Sequence, residues 1–107
     1  MTHSEYDDYA LVREMGITHA DFLRIFPRFA GTRRYELSGV TARIEWSQGH
    51  SATIEVGEEL QRKIGMMRIP YATVAIRFQS ESEAPDAEGF RADFLGAFDR
   101  AFQKGGG

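Results

Sequence analysis

DAEGFRADFLGAFDRAFQ, residues 86–103, carries phenylalanine at positions 90, 94, 98 and 102. In a helix of 3.6 residues per turn, a spacing of four lines up one slowly drifting stripe. Leu95 widens the stripe, while Arg91, Asp93, Asp99, Arg100 and Lys104 point elsewhere. A buried Phe contributes ~1.5–3 kcal/mol, so this helix anchors the core and the rest of the chain must supply the surface it covers.

The same helix holds Gly89 and Gly96, seven residues apart, with Ala92 between them on nearly the same side. Each glycine costs ~0.5–1 kcal/mol in a helix interior. A small-residue strip of this kind predicts the close approach of another backbone. The candidates are an earlier helix of the chain and a second copy of the protein.

Upstream of the anchor, Gln79 to Pro85 reads as a polar, acidic loop, with Pro85 suited to the first helical turn. Before it, Ala72, Val74, Ile76 and Phe78 alternate with Tyr71, Thr73, Ala75 and Arg77, a strand with one apolar face. Met66, Met67 and Ile69 lead into that strand. Pro70 has no N–H for a ladder, so the strand starts after it or is an edge there. Gly57 to Gly65 reads as a short helical connector, with Leu60 and Ile64 four apart. Val40, Ala42, Ile44 and Trp46 form one face of a further strand, and Ala52, Ile54 and Val56 form the inner face of its return. A turn over Ser47–Ser51 centred on Gly49 sets Arg43 opposite Glu55 and Ile44 opposite Ile54. Tyr35 and Leu37 belong to a shorter alternating stretch.

Two helices are predicted before the strands. Ser4 can cap the first, over Ser4–Met15, with Glu5, Asp7 and Asp8 in its first turn and Gly16 at its end. Thr18 caps the second. Asp21 completes a capping box, and Ile17 with Phe22 forms a hydrophobic staple. Phe22, Ile25, Phe26 and Phe29 follow helical spacing, and Pro27 should kink or end the helix near Phe26. The order predicts an α+β two-layer sandwich: an antiparallel sheet of three to four strands, with two N-terminal helices and one C-terminal helix on one face. Residues 1–107 are expected to form a single domain, with 1–3 and 104–107 as flexible ends.

With 42% apolar and 27% charged residues, the composition is that of a globular protein. There is no cysteine, which excludes disulfides, thiolate metal sites and a cysteine nucleophile. The polar N-terminus is no signal peptide, and no apolar run approaches the ~18 residues that span a bilayer. A cytoplasmic location is expected. The net charge of −3 divides into −4 over residues 1–23, +4 over 24–77 and −3 over 78–107. Packing of acidic helices beside a basic sheet explains that asymmetry, with a local anion-attracting face as the alternative.

His3, His19 and His50 lack metal-ligand spacing and read as surface histidines. No Gly-x-Ser-x-Gly elbow, GxGxxG or Walker A motif occurs. No cofactor, metal, nucleic acid or membrane is expected as a partner. Arg24, Arg28, Arg33 and Arg34 form the densest basic cluster, interleaved with Phe26 and Phe29. Planar guanidinium groups suit phosphate or carboxylate, so these four are the candidate anion-binding residues. The chain ends in Gly105-Gly106-Gly107, and Gly106-Gly107 resembles the tail of ubiquitin-like sulfur carriers. That resemblance implies activation of the terminal carboxylate. The carriers have a β-grasp fold whose tail follows a strand, whereas here the glycines follow a helix.

The leading expectation is a non-enzymatic binding or adaptor module that docks on a protein partner or on itself, with Gly89, Ala92 and Gly96 as interface residues. The alternatives are an anion binder, a sulfur carrier and a small enzyme with a motif-free pocket.

Overall fold

A computed structural model describes the backbone of residues 10–106 and the side chains of residues 10–102. The elements run β1 (Leu11–Met15), α1 (His19–Ala30), β2 (Tyr35–Ser38), β3 (Thr41–Ser47), β4 (His50–Val56), β5 (Leu60–Ile64), β6 (Met67–Ser80) and α2 (Ala87–Gly106). The fold is α+β with an antiparallel sheet, as the sequence predicts, but among the described residues the sheet has six strands instead of three to four. Its order is β1-β6-β4-β3-β2, with β5 paired to β6 off the end of that path.

The two additional strands come from segments that read as helical. Leu11–Met15 pairs with β6, Leu11 opposite Ile76 and Met15 opposite Ala72. The start of the expected Ser4–Met15 helix lies outside the described residues. Leu11, Arg13 and Met15 alternate with Val12 and Glu14, so an open edge of β6 can draw the segment into the ladder. Tertiary pairing overrides its weak helical pattern. Gly57–Gly65 is likewise no helical connector, since Leu60–Ile64 forms β5. Leu60 and Ile64 are four apart, which suits a helix face and a strand face equally.

α1 keeps its predicted cap. Thr18 Oγ1 accepts from the Asp21 N–H at 3.0 Å, and the Asp21 carboxylate accepts from the Thr18 N–H at 3.4 Å. The helix does not stop near Phe26 but continues through Pro27 to Ala30. Phe29 and Ala30 are both buried in the core, which holds the last turn in place. Leu23 and Pro27 lie on the exposed side, where water can serve the carbonyl that the proline leaves unpaired.

The hairpin register also differs from the sequence reading. Arg43 faces Thr53 and Ile44 faces Ala52, two residues from the expected pairing. A tight turn over Gln48-Gly49, with Gly49 at φ 74°, closes Ser47 onto His50, and an irregularity between Glu45 and Ser47 absorbs the difference. A shift of two preserves the faces, so Ala42, Ile44, Ala52 and Ile54 all remain buried.

The core lies between the sheet and the two helices. Phe90, Phe94, Phe98 and Phe102 are all buried, as the stripe predicts. Phe29 of α1 is the meeting point: its ring lies 5.3–5.8 Å from those of Trp46, Phe94, Phe98 and Phe102. Pro85 lies outside α2, one residue before Asp86, whose carboxylate accepts from the Gly89 N–H at 3.0 Å.

Candidate functional site

The longest strand creates the most distinctive surface. β6 runs for 14 residues, about 46 Å at ~3.3 Å per residue. Ala72–Ser80 lies within the sheet, while Met67–Tyr71 extends past β1 and β4 with β5 as its partner. β5 and the start of β6 therefore form a two-stranded arm, turned by Gly65 at φ 60° and Met66. A two-residue turn that opens on glycine matches the right-handed twist of its strands. The molecule is correspondingly long, 52 × 39 × 24 Å.

Which way the arm faces depends on one inserted residue. Val56 pairs with Val74, and the next ladder begins with Leu60 opposite Tyr71. The chain has advanced by four residues on one side and by three on the other, a bulge at the root of the arm. In β6 the core-facing positions are Ala72, Val74 and Ile76. Tyr71, Ile69 and Met67 thus point to the opposite face of the sheet, away from the helices. The bulge brings Leu60, Arg62 and Ile64 onto that same face. Gln61, Lys63, Arg68 and Pro70 occupy the other.

Leu60, Ile64, Met67 and Ile69 are all exposed, and Met66 at the tip is fully so. The root of the arm is tied down. His19 Nε2 donates to the Gly57 carbonyl at 2.7 Å, and Nδ1 lies 3.5 Å from the Glu59 carboxylate. Arg62 donates to Glu14 at 2.8 Å, and its guanidinium carbon lies 4.7 Å from the centroid of the Tyr71 ring. The Glu14 carboxylate raises the Arg62 pKa through that hydrogen bond and its charge. Exposed ion pairs of this type are worth little individually, but they fix a direction.

The open face continues from the arm across Val12, Thr73 and Thr53, with Ala75 buried beneath its neighbours, to a cavity of about 230 Å³ at the far end. Arg43, Glu45, Ser51, Gln79, Ser80 and Glu81 line it, and His50 forms part of its wall. His50 is not a surface histidine: it is 4% exposed. Its Nδ1 accepts from the Ser80 hydroxyl at 2.6 Å, and its Nε2 donates to the Pro85 carbonyl at 2.6 Å. The ring stacks on Phe90 with centroids 4.6 Å apart. A hydroxyl on an imidazole nitrogen has the spacing of a nucleophile and its base. The adjoining cavity carries both signs of charge, Arg43 beside Glu45 and Glu81. The imidazole acts as a clamp, joining β4, β6 and the loop that leads into α2.

The four candidate arginines are used separately. Arg24 donates to Asp21 at 3.1 Å, and this hydrogen bond is the main cause of the lowered Asp21 pKa. Arg33 lies 3.6 Å above the Trp46 ring and donates from Nε to the Trp46 carbonyl at 3.2 Å. Trp46 Nε1 in turn donates to Asp93 at 2.8 Å. Arg28 lies in the last turn of α1. Arg34 borders a recess of about 170 Å³ shared with Tyr35, Glu36, Arg43 and Glu45.

The glycine strip has local surroundings. A Cβ at Gly89 would collide with the Asp86 side chain that caps the helix. One at Gly96 would meet the Arg100 side chain of α2 at 3.4 Å and nothing else within 4 Å. The first atoms either Cβ would touch are therefore side chains of its own helix and cap, not the backbone of a neighbouring element. Ala92 is exposed. α2 carries on through Gly105 and Gly106, and Gly107 is outside the described residues. Among the described residues, no three His, Asp or Glu side chains gather as metal ligands, and no helix is long and apolar enough to cross a membrane.

No protein family, curated protein or solved structure matches this chain.

Sequence reasoning missed the arm. The available signals were the alternation of Leu60, Arg62 and Ile64, its continuation in Met67, Ile69 and Tyr71, and the Gly65-Met66 pair between the two runs.

Proposed function

We propose that this chain is a small non-enzymatic binding module that docks its arm and open sheet face on a protein surface. One observation carries the reading. The arm alternates as a half-buried strand pair does, with Leu60, Ile64, Met67, Ile69 and Tyr71 on one face and Gln61, Lys63 and Arg68 on the other. Yet the apolar face looks away from the helices, and four of those five side chains are large exposed hydrophobics. A two-stranded ribbon is marginal in water without a layer against it. Contiguous exposed apolar side chains on one face, rimmed by polar residues, mark an interaction site.

The test uses the double variant Ile64→Lys/Met67→Lys. Exposed positions tolerate substitution within about ±0.5 kcal/mol, so the variant should melt with the parent. In an extract of its native cell, the tagged parent should sediment in a complex that the variant fails to form. Sedimentation of both as the bare 12.1 kDa chain would overturn the proposal.

A further inference from the structure

We propose that the cavity at the far end of the open face binds a free diamino acid of the lysine type. Arg43 holds its carboxylate, Glu45 its α-ammonium group and Glu81 the ammonium group of its side chain. The site lies at the end of β6 opposite the arm and is independent of the docking reading.

Strand register builds the hollow. Glu45 stands opposite Ser51, and Ser51 stands opposite Gln79, so the three form one row across β3, β4 and β6. Ile44, Trp46 and Ala52 are buried on the core side, which puts this row on the open face. A short side chain between two longer ones leaves a depression, and Ser51, 8% exposed, is its floor. The cavity of about 230 Å³ has the volume of roughly eight waters. That admits a molecule the size of an amino acid and excludes a nucleotide.

The lining selects the chemistry. Arg43 offers five N–H donors, and among the described residues its side chain makes one long hydrogen bond, 3.4 Å, to the Ser51 hydroxyl. Arg43 stands opposite Glu36 in the β2–β3 ladder and two residues from Glu45, yet among the described residues it forms an ion pair with neither. The carboxylates of Glu45 and Glu81 likewise have no hydrogen bond or ion pair among the described residues. Ser80 donates its proton to His50 Nδ1, so it turns lone pairs toward the cavity. The cavity therefore presents one planar fork for a carboxylate and two separate acceptors for cations.

Spacing assigns the groups. Arg43 and Glu45 are neighbours on one side of β3, about 7 Å apart along the strand. A carboxylate and an ammonium group on the same carbon can reach both. Glu81 comes from beyond Ser51, with β4 between its strand and β3, so its backbone is about 10 Å from that of Glu45. Spanning the two takes a second cationic group on a short chain. Glu81 is also held in place. Its N–H donates to the Gly49 carbonyl at 2.8 Å, and its side chain lies across Gly49, where an added Cβ would come 3.0 Å from Glu81 Oε2. A carboxylate fixed before the ligand arrives loses less freedom on binding.

Calorimetric titration of the purified full chain with L-lysine tests the site. Lysine should bind saturably with a Kd below about 1 mM at low salt and more weakly as salt rises. Norleucine lacks the side-chain ammonium group and cadaverine lacks the carboxylate. Each should bind about tenfold or more weakly than lysine. So should Nα-acetyl-lysine, which offers what the C-terminal lysine of a peptide offers. Arg43→Gln and Glu81→Gln should each weaken lysine binding by about tenfold or more while melting with the parent, since both side chains are exposed. Arg100→Gln, on α2, should bind lysine as the parent does. No saturation with lysine up to about 10 mM overturns the proposal. So does norleucine or cadaverine binding as tightly as lysine, or lysine affinity unchanged in either Arg43→Gln or Glu81→Gln. Nα-acetyl-lysine binding as tightly as lysine overturns it in favour of a peptide terminus.

Discussion

Replacing His50 with leucine should destabilise the fold by about 2–4 kcal/mol. The imidazole makes two hydrogen bonds, each of 2.6 Å, while being 4% exposed. The partners respond differently to its loss. Ser80 is exposed and can turn its hydroxyl to water, so that bond is worth about its net value of ~1 kcal/mol. The Pro85 carbonyl points at the buried ring, where leucine would cover it without offering a donor. An acceptor shielded in that way costs ~1–3 kcal/mol. Leucine keeps an apolar contact with Phe90, which limits the packing loss. Ser80→Ala removes the weaker bond alone and should cost ~1 kcal/mol. Urea unfolding can be followed by the fluorescence of Trp46, the single tryptophan, which is buried in the core. The midpoint should fall with the slope unchanged, because a native-state clamp is lost without altering the unfolded chain. A His50→Leu variant within about 0.5 kcal/mol of the parent, or no less stable than Ser80→Ala, would refute the clamp.

Phe94→Ala or Phe98→Ala should cost ~3–5 kcal/mol in the same urea assay, since both rings are buried and packed against Phe29. Thr18→Ala should cost ~1 kcal/mol by leaving the Asp21 N–H without its cap. The reciprocal half of that capping box depends on pH. Hydrogen bonding to Arg24, followed by that to Thr18, lowers the folded-state pKa of Asp21 from 3.8. Its contribution is therefore present above the unfolded value and is lost as pH falls through the lowered one. Parent and Asp21→Asn melts should differ near neutrality and converge in strong acid.

Local, self-contained patterns were legible in the sequence. The Phe90–Phe102 stripe specifies its own buried face through a spacing that needs no knowledge of the neighbour. Thr18 and Asp21 specify a helix start through bonds that close within four residues. Segments whose state depends on distant pairing were not legible. Leu11–Met15 becomes a strand because β6 offers an unpaired edge some sixty residues later in the chain. His50 sits in a turn, where histidines are usually exposed. The return of β6 to Ser80, the Pro85 carbonyl beyond it and the Phe90 ring of α2 enclose it. The arginines are close in sequence because α1 ends among them. Asp21 and Trp46, which hold Arg24 and Arg33, come from either side of that stretch.

The arm shows how much can rest on a single residue. Period-two reading carried from Ala52, Ile54 and Val56 would assign Leu60 and Ile64 to the core face, under the helices. The bulge before β5 reverses that assignment, because a one-residue slip moves every following side chain to the other face. β6 has no matching insertion, so Met67, Ile69 and Tyr71 stay in phase with the open face all along. The two strands of the arm therefore agree with each other and disagree with the core. Without the bulge, Leu60 and Ile64 would face the helix side while Met67 and Ile69 faced away, leaving an amphipathic ribbon with no consistent apolar side. With it, the apolar residues of both strands gather on one surface. That surface is directed outward, away from both helices.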